Sequence, residues 1–85
     1  MKKRVYAVRD NKLASFGTPI VIDNDAVATL QFGYIIINGG DNVMTKHPSD
    51  FTLYCLGEYD LVSGKFKNLD CPLALATGSD FVKGE

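Results

Sequence analysis

The chain predicts a small α+β domain in ββαββ order, with one amphipathic helix packed on an antiparallel sheet. Short β-favouring runs lie towards both ends, each followed by residues suited to a tight turn. Between them, a cluster of capping residues precedes apolar residues at helical spacing. At 85 residues there is room for one core only, and scaling predicts that roughly 63% of the unfolded surface is buried on folding.

Val5-Tyr6-Ala7-Val8 reads as a strand, and Asp10-Asn11 tolerates the positive φ that a hairpin turn needs before Lys12-Leu13-Ala14-Ser15-Phe16. Gly17 and Pro19 punctuate its end, and Pro19-Ile20-Val21-Ile22 reads as an extended lead-in. Asp23-Asn24-Asp25 offers N-cap oxygens and a first-turn carboxylate. Val27, Leu30, Tyr34 and Ile37 then form one helical stripe, which Asn38-Gly39-Gly40 terminates. Gly33 and the β-branched run Ile35-Ile36-Ile37 oppose a helix there, and the competing reading is a strand over 32–37 turning at Gly39-Gly40.

Residues 41–50 are a polar connection containing Pro48. Phe51-Thr52-Leu53-Tyr54-Cys55-Leu56, continued by Gly57-Glu58-Tyr59, reads as a strand. Asp60-Leu61-Val62-Ser63-Gly64 is a turn, with Gly64 suited to the left-handed position and Asp60 able to cap its amides. Lys65-Phe66-Lys67 returns as a strand with both lysines on one face, and residues 72–76 form a short apolar segment. The domain is expected over 1–77, with 78–85 as a flexible tail.

Nine basic and ten acidic residues give a net charge of −1, so no global footprint for nucleic acid exists. The distribution is uneven. Lys2, Lys3, Arg4, Arg9 and Lys12 face only Asp10 in the first twelve residues, whereas the remainder sets four lysines against nine acids. Such asymmetry suits a basic binding edge, head-to-tail self-association, or simply a solubilising cluster. Cys55 and Cys71, with His47 as the single histidine, are too few for a zinc site, and no apolar run is long enough to cross a membrane. A cytoplasmic protein with reduced thiols, no cofactor and no membrane partner is expected.

No catalytic constellation emerges. His47 lies in a loop before Pro48, Ser63-Gly64-Lys65 lacks the other elements of a phosphate loop, and Glu58 with Asp60 reads as a solvated strand edge. Binding is the better class. Tyr6, Tyr54, Tyr59 and Phe66 sit in expected strands among Lys2, Arg4, Arg9, Lys65 and Lys67, which suits stacking of unpaired bases, or else a core beneath the helix. Self-association would multiply a weak basic patch.

The ordered set Val5-Tyr6-Ala7-Val8-Arg9-Asp10, Ser15-Phe16-Gly17-Thr18-Pro19, Asn24-Asp25-Ala26-Val27-Ala28, Pro48-Ser49-Asp50-Phe51, Leu56-Gly57-Glu58-Tyr59-Asp60 and Ser63-Gly64 resembles one phage family. It is similar to the small non-structural protein from the fifth open reading frame of gokushoviruses, microviruses with single-stranded DNA genomes. The resemblance covers about residues 4–67. It implies a helix starting near Asn24 and an accessory role in viral DNA synthesis or packaging, likened to the C protein of related microviruses. It carries over no site residues. On this reading the chain is a non-enzymatic, homo-oligomeric phage protein of the host cytoplasm. It would bind single-stranded DNA without sequence preference through Lys2, Lys3, Arg4, Arg9, Lys12, Lys65 and Lys67, aided by Tyr6. The alternative is a module that docks on viral replication or procapsid proteins and never touches DNA.

Overall fold

The computed structural model describes residues 1–82. Strand β1 (Lys2–Asp10) is central, and β2 (Ser15–Phe16) and β3 (Ile20–Ile22) both pair antiparallel with its outer edge. Helix α1 (Asp25–Asn38) follows, then a single turn α2 (Val43–Lys46) and a 3-10 turn (Pro48–Asp50). Strand β4 (Phe51–Asp60) pairs with the inner edge of β1, and β5 (Phe66–Thr77) closes the sheet as its far edge. A 3-10 turn, Gly78–Phe81, ends the described chain. The α+β class with one main helix on an antiparallel sheet holds. The sheet has five strands because the lead-in before the helix pairs as β3.

Both hairpin turns follow from local chemistry, but in the first the positive φ expected at Asp10-Asn11 falls on Ala14 (φ +55°), at the end of a longer turn. Asp10 Oδ1 accepts from the amides of Lys12 and Leu13, and Asp60 Oδ1 from those of Val62 and Ser63. Gly64 takes φ +74°, the left-handed conformation that closes the second hairpin. Between residues 32 and 37 the chain is helical. Asn24 caps the start, with its side chain accepting from the Val27 amide at 2.9 Å.

The helix buries a different face from the expected one. Ala28, Phe32 and Ile36 enter the core with Tyr6, Phe51, Leu53 and Cys55, while Leu30, Tyr34 and Ile37 remain 73%, 66% and 59% exposed. Residues 26–40 are apolar or uncharged all round, so periodicity alone cannot choose between two opposite stripes. Asp25 decides. It shares the Ala28–Phe32–Ile36 face, and it reaches the Tyr6 hydroxyl (2.6 Å) and Arg4 (2.9 Å) from β1, which fixes the rotation of the helix.

Gly33 marks where the end of the chain docks. A Cβ there would lie 2.6 Å from the Phe81 ring, which packs edge-on against Phe32 with centroids 5.8 Å apart. Thr77 and Asp80 form a reciprocal capping box around this last turn. The tail expected at 78–85 is therefore docked as far as Phe81, and residues 83–85 lie outside the described residues.

Candidate nucleic-acid interface

The core and the helix lie on one side of the sheet. On β1 the even-numbered residues face them, so Lys3, Val5, Ala7 and Arg9 point to the opposite side. Cross-strand register extends this second face. Arg9 pairs with Phe16 and Thr52, Ala7 with Tyr54, Val5 with Gly57, and Lys3 with Tyr59, itself opposite Phe66.

A bulge in β4 makes this possible. Tyr6 pairs with Cys55 and Val5 with Gly57, which leaves Leu56 unmatched. Tyr54 and Tyr59 are five residues apart and would point to opposite faces of a regular strand. The extra residue restores them to one face. It also lets Cys55 enter the core while Glu58 stays opposite Arg4.

The resulting surface carries two aromatic pairs. Phe16 and Tyr54 meet edge-on at 5.3 Å, with the Arg9 guanidinium 5.8 Å from the Phe16 ring centre. Tyr59 and Phe66 stack at 4.7 Å with a 40° tilt, and Phe66 is 63% exposed. Between the pairs the floor is made of Val5, Ala7 and Gly57, all buried beneath the larger side chains. Along β4 the pairs are about 17 Å apart, a span that about three nucleotides of extended strand can follow.

The basic residues do not gather into the continuous track that the sequence suggested. Lys2 pairs with Glu58 (3.9 Å), Lys3 with Asp23 (3.0 Å) and Arg4 with Asp25 (2.9 Å). Arg4 Nε makes a charge contact with Asp25 Oδ1 without an aligned hydrogen bond, and the same oxygen accepts from the Tyr6 hydroxyl. Tyr6 is fully buried, and burial together with its bond to Asp25 pushes the phenol upward. Its ring is core, and it offers no face to a base.

Arg9, Lys12, Lys65 and Lys67 enter no ion pair among the described residues, but they occupy opposite ends of the sheet. Arg9 and Lys12 lie beside the first hairpin turn, where Arg9 donates to the Asn11 side chain at 2.8 Å. Lys67 is opposite Glu58, about 20 Å away along β4. Lys65 and Lys67 line a shallow hollow with Lys2, Glu58 and Asp60 at the tip of the second hairpin. Through the Lys67–Glu58–Arg4 register, Lys67 belongs to the helix side of the sheet, away from the aromatic pairs.

Of the expected residues, Lys3 and Arg9 thus sit on the aromatic face, with Lys12 at its margin. Tyr54, Tyr59 and Phe66 join them, and Phe16 is the member sequence reasoning missed. Its signal was weak, because Phe16 lies in a two-residue strand whose facing is set only by pairing with Arg9.

No helix among the described residues is long and apolar enough to cross a membrane. Neither the curated proteins nor the solved structures provide a match. A family model described as "Phage ORF5 protein" matches residues 3–81, which takes in β1 from its second residue, every other strand, the helix and the docked last turn. The chain belongs to the phage ORF5 protein family.

Proposed function

We propose that this phage protein is a non-enzymatic accessory factor that binds single-stranded DNA on the bare face of its sheet. The observation that carries the reading is the pair of aromatic contacts, Phe16–Tyr54 and Tyr59–Phe66, on a face that no helix covers among the described residues. Phe16 and Phe66 are exposed and Tyr54 and Tyr59 half-buried, and aromatic rings on a sheet are stacking platforms for unpaired bases, each worth about 1–3 kcal/mol and tolerant of sequence. Arg9 stands at one end of this face to meet phosphate, with Lys12 at the margin, and Lys3 stands at the other end, where it must exchange its Asp23 partner (3.0 Å) for a phosphate on binding. The likeness of gokushovirus proteins to factors of viral DNA synthesis or packaging supports the same direction.

Stacking, not charge, dominates on this reading. Two or three bases and about three phosphates yield roughly 6 kcal/mol, a Kd of tens of micromolar per chain at low salt. Fluorescence anisotropy with a labelled oligothymidylate tests it. Binding is expected to weaken about tenfold or more in Tyr54→Ala and in Phe66→Ala, and about severalfold in Arg9→Glu. Absence of binding at low salt, or binding indifferent to both aromatic variants, overturns it.

A second reading has its own observation. Lys2, Lys3 and Arg4 are matched by carboxylates and the net charge is −1, which favours docking on a viral replication or procapsid protein. Nuclease-resistant co-purification with the viral initiator or capsid protein would favour that reading over DNA binding.

A further inference from the structure

The exposed stripe of α1 has no counterpart in an ordinary surface helix. Leu30, Tyr34 and Ile37, with the half-buried Val27, recur at spacings of three, four and three, the seam spacing of two helices packed side by side. No charged residue occurs anywhere from Ala26 to Gly40. A helix apolar on both faces is stable when both are covered, and here only the Ala28–Phe32–Ile36 face is.

We infer that the Val27–Leu30–Tyr34–Ile37 stripe is a two-fold interface with a second copy of this chain. Three features select that occupant. The stripe and its flanks Ala26, Gln31 and Asn38 are uncharged, and Asp23 in the adjoining cleft is paired with Lys3 (3.0 Å), so the surface meets itself without unpaired like charges, as an isologous contact requires. A lipid surface is the poorer fit, because helices that lie in a membrane interface carry lysine and arginine on their polar side, and this one carries none.

The area is the third feature. Leu30, Tyr34 and Ile37, with Val27 and the half-exposed Ile20 across an adjoining cleft, present about 550 Å² per copy against about 800 Å² in a standard stable interface. That is the small end of stable interfaces, so a reversible, concentration-dependent dimer is expected. In it the helices lie between two sheets, and both aromatic faces point outward. The inference does not depend on DNA binding, and either can fail without the other.

Sedimentation velocity of the full chain over a concentration series provides the test. The wild type is expected to pass from monomer to dimer, while Leu30→Glu and Ile37→Lys stay monomeric with unchanged circular dichroism, a loss of roughly a hundredfold or more in affinity. Val62→Glu, in the exposed second turn, is expected to dimerise like the wild type. A wild type that stays monomeric overturns the inference. Its co-sedimentation as a monomer with phosphatidylcholine–phosphatidylglycerol vesicles would assign the stripe to lipid instead. A dimer that persists in both charged variants, or loss of fold in both, contradicts the placement of these side chains at a seam.

Discussion

Replacing Gly33 by alanine sets two effects of known size against each other. Alanine in mid-helix is worth about 1 kcal/mol over glycine, so the substitution should stabilise an isolated α1. In the folded chain the new methyl would lie 2.6 Å and 2.7 Å from two carbons of the Phe81 ring, which must leave its seat against Phe32. The lost edge-on pair is worth about 0.5–1.5 kcal/mol, and re-exposing a partly buried phenylalanine costs about 1–1.5 kcal/mol more. The net expectation is destabilisation by about 1 kcal/mol. The sign should reverse once Phe81 is removed, so that Gly33→Ala in a Phe81→Ala background is stabilising by about 1 kcal/mol. Urea unfolding of the four chains, followed by far-UV circular dichroism, gives the complete cycle. Gly33→Ala stabilising the otherwise unaltered chain, or the same effect in both backgrounds, would refute the docking of the last turn on α1.

Three further outcomes follow from the geometry. Tyr6→Phe keeps the ring but loses the 2.6 Å bond to the Asp25 carboxylate, at a cost of about 1.5–3 kcal/mol in urea unfolding. Burial, then the bond to Asp25, raises the folded-state pKa of Tyr6 above its unfolded value. Its contribution is therefore complete below about pH 10 and lost as pH rises further, a loss that Tyr6→Phe should not show. Asp60 is held below the usual carboxylate range by the amides of Val62 and Ser63. The order of the second hairpin should thus persist above about pH 4 and fade as pH falls through the folded pKa, and Asp60→Ala should erase that transition in the Val62 amide resonance. Finally, with about three phosphates met, the logarithm of the DNA affinity should fall against the logarithm of salt with a slope near about −2. A slope near about −5 would mean that the whole set of seven cations acts, contrary to their separation.

The second hairpin turn and the helix start were legible in the sequence because their chemistry is local, whereas the first turn's positive φ lies at Ala14 and not at Asp10-Asn11. Asp60 with Gly64, and Asn24 with its first-turn neighbour Asp25, act within a few residues and are found where they were expected. The buried face of α1 was not legible, since two apolar stripes share one uncharged helix and the choice rests on Asp25 meeting Tyr6 and Arg4 from a strand nineteen residues or more away. The candidate site failed to show for the same reason. Which face Tyr54 and Tyr59 share depends on one unmatched residue, Leu56, and which cations are free depends on carboxylates brought across the sheet. Gly33, which argued against the helix in isolation, is accounted for by the ring of Phe81.

The claim that the uncovered side of the sheet takes unpaired bases is met most directly by a residue-resolved NMR titration with a short oligothymidylate. The account predicts that the ring and amide signals of Phe16, Tyr54, Tyr59 and Phe66 move together, with Arg9 beside them, while those of Leu30 and Tyr34 stay in place. Shifts confined to the lysines of the second hairpin tip, or no shifts at all, would contradict it.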